Sequence, residues 1–116
     1  MDTPHEVPTI VQIKHILQYE SDKLTPSMAH QFLLIVSSVA SEFRTQAGQL
    51  EAKYALMKAD FIKQDMTGVK AKALASGSET GMLWAEIKEE IRGLDEIAKA
   101  LKKSLQHFEN EGKGIY

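Results

Sequence analysis

The chain has 116 residues, of which 14 are basic and 16 acidic, for a formal charge of −2. That length suits one domain with a modest core, and the near-neutral balance excludes a strong overall field towards nucleic acid or an anionic membrane. The absence of cysteine excludes disulfides, thiolate metal sites and cysteine nucleophiles, and makes the cytoplasm the expected compartment.

The opening "MDTPHEVP" has two prolines and no apolar period, so residues 1–8 are expected to form an extended arm. It lacks the basic region followed by an apolar one that marks a secretory leader. Thr9 is placed to cap a short helix over 9–21, in which Ile10, Ile13, Ile16 and Leu17 share one face. In "LTPSM", Thr25 supplies the next cap and Pro26 takes the first helical position, where its missing N–H costs nothing. A long helix over 25–65 follows, with core candidates Met28, Phe32, Ile35, Val39, Phe43, Ala47, Leu50, Tyr54, Met57 and Phe61. Steps of four from Ile35 to Ala47 break a strict heptad and locally relax left-handed supercoiling.

The run "FLLIV" is far shorter than the roughly 20 residues that span a bilayer, so no membrane partner is expected. Its five consecutive apolar residues make the helix hydrophobic on more than one side, which predicts cover from two neighbours at once.

Residues 66–78 read as a connector with a short helix near Val69 to Ala75. Ser76 with Glu79 has capping-box spacing and Ser78 is the alternative cap, so a last helix is expected over 79–111. Its seam of Trp84, Ile87, Ile91, Leu94, Ala98, Leu101, Leu105 and Phe108 alternates steps of three and four. Gly112 suits a left-handed cap, leaving 112–116 as a tail. No window alternates with period two, so no strand is expected.

The predicted fold is therefore all-α: a short N-terminal helix and a long antiparallel, coiled-coil-like hairpin in a single domain. Leu56, Ile62, Leu83 and Ile97 lie beside the seams and widen them, which predicts completion of a helical bundle by oligomerisation, a dimer above all. The interface candidates are Phe32, Ile35, Val39, Phe43, Leu50, Tyr54, Met57, Phe61, Trp84, Ile87, Ile91, Leu94, Leu101, Leu105 and Phe108.

Catalytic chemistry finds no foothold. His5, His15, His30 and His107 make no pair that would set two metal ligands on one helical face. The carboxylates Glu86, Glu89, Glu90, Asp95 and Glu96 lack the Glu-x-x-His of bundle metal sites. They read as a solvated face on which Glu89 pairs weakly with Arg92. "ASGSETG" lacks the Gly-Lys-Ser/Thr ending of a phosphate loop and follows no strand. No enzyme, metal or cofactor is expected.

Two lysine clusters, Lys53, Lys58, Lys63, Lys70 and Lys72, then Lys99, Lys102 and Lys103, supply the alternative reading, contact with nucleic acid. No aromatic stacking platform is evident beside the first, and the second suits the negative end of its helix.

The segments "EAKYALMKADFIKQDMTGVKAKALASG" and "LDEIAKALKKSLQHFENEG" resemble small helical accessory proteins of bacteriophages and prophages. The likeness covers about the second half of the chain, in a Lys/Ala-rich joint and a closing "LKKSL" with "FENE". It brings no catalytic residues with it. What it implies is an adaptor or inhibitor that binds a host or phage protein, or an accessory factor in phage recombination or replication.

Overall fold

The computed structural model describes residues 7–114. Most of the N-terminal arm, His5 included, and the last two residues of the tail lie outside them. Helix, the 3-10 turn included, makes up 89% of the described residues, and no strand occurs among them. The chain is all-α, with α1 (Ile10–Tyr19), a 3-10 turn (Ser21–Lys23), α2 (Pro26–Lys63), α3 (Gly68–Ser76) and α4 (Glu79–Gly114).

Side-chain hydroxyls set the starts. Thr9 and Gln12 form a reciprocal capping box, with the Gln12 N–H donating to Thr9 Oγ1 (3.2 Å) and the Thr9 N–H to Gln12 Oε1 (2.8 Å). Thr25 Oγ1 accepts from the Met28 N–H at 3.1 Å, and Thr67 Oγ1 from the Lys70 N–H at 3.2 Å. Of the two serines that could open α4, Ser78 is the cap: its Oγ accepts from the Gly81 N–H at 3.1 Å. Each bond satisfies a first-turn donor that the helix itself leaves free.

The ends follow different rules. α2 closes on Asp65, whose φ of 64° is left-handed. The Met66 N–H donates to the Phe61 carbonyl (3.3 Å) and the Asp65 N–H to that of Ile62 (3.1 Å), the paired bonds of a Schellman motif. The expected glycine cap at residue 112 does not form. α4 runs on to Gly114, and no described glycine has a positive φ. A left-handed cap is held by an apolar residue folding back after it, and Gly112 is followed by Lys113 and Gly114. A Cβ at Gly112 would meet nothing within 4 Å, so no neighbour forces the chain to turn there.

The helices build two compact units, one of Met1–Val39 with Leu94–Tyr116 and one of Ala40–Gly93. In each, a stretch of α2 is joined by a stretch of α4, and the long helices pack on each other. In the first unit Ile13, Leu24, Ala29, Phe32, Val36, Leu94, Ile97 and Leu101 are buried. Ile13 is fully covered although α1 has only ten residues, so α1 acts as a lid whose apolar stripe is its reason to fold.

The second unit differs in kind. Its buried residues are small: Ala40, Ala71, Ala75 and Gly81. Ala71 and Ala75, one turn apart on α3, have no exposed surface. A Cβ on Gly81 would come within 2.7 Å of the Ser76 carbonyl and closer still to that of Ala75, so α4 starts hard against the end of α3.

The double cover expected around "FLLIV" is partial. Phe32 and Val36 are buried and Leu33 and Ile35 half-buried, but Leu34 is 73% exposed. Leu34 falls roughly 200° from Phe32 at 100° per residue, on the opposite side of α2. Of the four residues expected to widen the seams, Ile97 is buried while Leu56, Ile62 and Leu83 are exposed.

Candidate functional site

The fifteen interface candidates divide by unit. Phe32, Leu94 and Leu101 are buried and Ile35, Val39, Leu105 and Phe108 half-buried in the first. In the second, Phe43, Leu50, Tyr54, Met57, Phe61, Trp84, Ile87 and Ile91 are all half-buried, and none of these eight is fully covered. Val36 and Ala40, buried but absent from the sequence-derived set, sit one residue beyond Ile35 and Val39. Steps of four shift the stripe round the helix, and this drift is the signal that could have found them.

On the first unit, a recess of about 610 Å³ is lined in part by Asp22, Lys103, His107, Phe108 and Glu111. His107 Nε2 lies 3.1 Å from Glu111 Oε1, with both side chains largely in solvent. Among the described residues no three His, Asp or Glu side chains gather closely enough to hold a metal ion. His15 stacks obliquely on Tyr19 at 5.1 Å, and His30 is exposed. Glu89 and Arg92 pair at 3.1 Å on the surface, where such a pair is worth little.

The second unit holds a recess of different chemistry. About 370 Å³ in volume, it is lined in part by Tyr54 and Lys58 of α2, Lys72 and Ser76 of α3, and Trp84 and Lys88 of α4. The Tyr54 and Trp84 rings meet at 4.8 Å between centroids, tilted by 46°. The Tyr54 and Ser76 hydroxyls are hydrogen-bonded at 3.0 Å. Lys88 Nζ stands 3.8 Å above the Trp84 ring, a cation held over a negative π face.

An aromatic pair thus does accompany part of the first lysine cluster, contrary to the sequence reading. Spacing along the chain does not reveal it, because Tyr54 belongs to α2 and Trp84 to α4. Lys58 and Lys72 reach this recess; Lys53, Lys63 and Lys70 do not line it and are exposed, as are Lys99, Lys102 and Lys103.

No described helix is long and apolar enough to cross a membrane. No protein-family model, curated protein or solved structure matches this chain.

Proposed function

We propose that this chain is a non-enzymatic interaction module that self-associates through the unit Ala40–Gly93 and acts as an adaptor or inhibitor by binding another protein. The observation that supports it is the half-buried seam of that unit. Leu50, Met57, Phe61, Ile87 and Ile91 each keep part of their surface in water, and Leu83 is 42% exposed. Gly81 turns towards α3. Leu83 and Ile87 lie about 200° and 240° round α4 from Gly81, on the side that α3 does not cover.

A helical pair with one flank open buries too little apolar surface to be a complete core. A second copy presenting the same flank closes a four-helix core about a two-fold axis, with the same patch on both partners. Light scattering on the purified protein at micromolar concentration tests this. The expected mass is twice 12.9 kDa, and Ile87→Glu should return it to one chain while the helical circular dichroism stays. A wild-type mass of a single chain would count decisively against self-association.

The onward partner, a host or phage protein, is supported by the resemblance to phage accessory proteins. Retention of a single specific protein by the wild type and its loss with Ile87→Glu is the corresponding test. The nucleic-acid reading has narrower support, since only Lys58 and Lys72 of its eight lysines share the aromatic-lined recess. Affinity that collapses between low and moderate salt would favour it instead.

A further inference from the structure

We infer that the recess formed by Tyr54, Lys58, Lys72, Ser76, Trp84 and Lys88 is a binding site for a small phosphate-bearing ligand of mononucleotide size. Three ammonium-bearing side chains arrive from three different helices, Lys58 from α2, Lys72 from α3 and Lys88 from α4, and no carboxylate side chain lines the recess. None of the three lysines forms an ion pair among the described residues. Three ammonium groups lining one cavity suit a multiply charged anion best. A singly charged carboxylate would leave two charges in excess, whereas a phosphate monoester offers close to two charges and three acceptor oxygens.

The hydroxyl pair adds a directed donor. In the Tyr54–Ser76 bond one hydroxyl donates to the other, so the accepting hydroxyl keeps its own proton for a ligand oxygen. Lys58 is half-buried, so its stem packs against the helices and less side-chain freedom is left to lose on binding. Lys88, steered over Trp84, is likewise placed before any ligand arrives.

Size and layout select a small ligand over a strand. The volume, about 370 Å³, lies near the lower end of small-molecule pockets, roughly 300–1,000 Å³. A single-stranded nucleic acid needs charges that follow its backbone along a groove. Here Lys58, Lys72 and Lys88 line one recess from three helices, and Lys53, Lys63 and Lys70 stand outside it.

Trp84 is the one tryptophan in the chain and reports directly on the recess. The full-length protein is titrated with adenosine 5′-monophosphate, with inorganic phosphate and with adenosine, following Trp84 emission and the heat of binding in parallel. The nucleotide and inorganic phosphate should each give saturable binding and adenosine none. Lys72→Gln should weaken nucleotide binding about ten-fold, and Lys72→Arg should restore most of it, since one charge-assisted hydrogen bond is at stake. Lys72 is exposed, so these variants keep the fold. Any of three results overturns the inference: no saturable heat or emission change up to about 10 mM ligand, adenosine binding as well as its phosphate, or a single-stranded oligonucleotide binding where the mononucleotide does not.

Discussion

The rings of Tyr54 and Trp84 meet at 4.8 Å, tilted by 46°, across the pair formed by α2 and α4. Such tilted contacts contribute about 0.5–1.5 kcal/mol beyond simple burial. A double-mutant cycle of Tyr54→Ala and Trp84→Ala, read by urea denaturation, should return a coupling in that range. Strict additivity of the two losses would show that the rings do not support each other.

Glycine replacement separates close packing from open surface. Alanine at Gly81 would press on backbone atoms of Ala75 and Ser76, which cannot rotate away, so Gly81→Ala should cost about 1–3 kcal/mol. Gly93→Ala meets nothing within 4 Å and should stabilise by up to about 1 kcal/mol through helix propensity. Thermal melts of the two variants should move in opposite directions.

The seam of α4 is not uniform in its stakes. Leu94 and Leu101 are buried, and replacing either with alanine should cost about 2–5 kcal/mol. Ile91 is only half-buried and should cost less, about 1–2 kcal/mol, because part of the methylene surface removed is already wet. Measured in the Ile87→Glu background, which keeps the chain single, equal losses at Ile91 and Leu101 would show that Ile91 is covered within one chain.

Asp65 carries the left-handed turn that ends α2. A residue with a Cβ is strained there relative to glycine, so Asp65→Gly should raise stability by about 0.5–1 kcal/mol. Asp65→Val should lower it, since a β-branched side chain tolerates positive φ least. If Asp65→Gly lowers the denaturation midpoint instead, the aspartate side chain does something at this turn beyond accepting its geometry.

Glu89 tests the acidic stretch. Its pair with Arg92 is mostly in solvent, so Glu89→Ala should change stability by no more than about 0.5 kcal/mol. Melts with and without added divalent cation should superimpose. A cation-dependent rise in melting temperature that Glu89→Ala abolishes would expose a metal site in what reads as a solvated face.

Local signals carried much of the architecture. Thr9 and Thr25 with Pro26 mark helix starts because a hydroxyl three residues before an N–H acts within one turn, whatever the rest of the chain does. For α4 the sequence offers both Ser76 and Ser78, and the structure uses Ser78. The three-and-four spacing from Trp84 to Phe108 marked α4 as one amphipathic helix for the same reason. The end of α2 was less legible, since a Schellman turn on aspartate lacks the glycine that usually announces it. The extension of α4 past Gly112 was hidden in the opposite way, by a glycine that merely permits a cap.

What each helix face meets was decided only by the tertiary structure. Periodicity shows that Leu94 and Ile91 share a stripe; whether another helix lies over both depends on residues far away in the chain, and here one is buried and the other half-wet. The same holds for the recess. Tyr54 with Lys58, Lys72 with Ser76, and Trp84 with Lys88 are each four apart and share a face of their own helix, but no local rule links one pair to the next. They come together because Ala71, Ala75 and Gly81 have almost no side chain, which lets α3 and the start of α4 approach closely enough for three lysines and two aromatic rings to share one cavity. Short-range chemistry sets the helices, and the packing of small residues sets what those helices can bind.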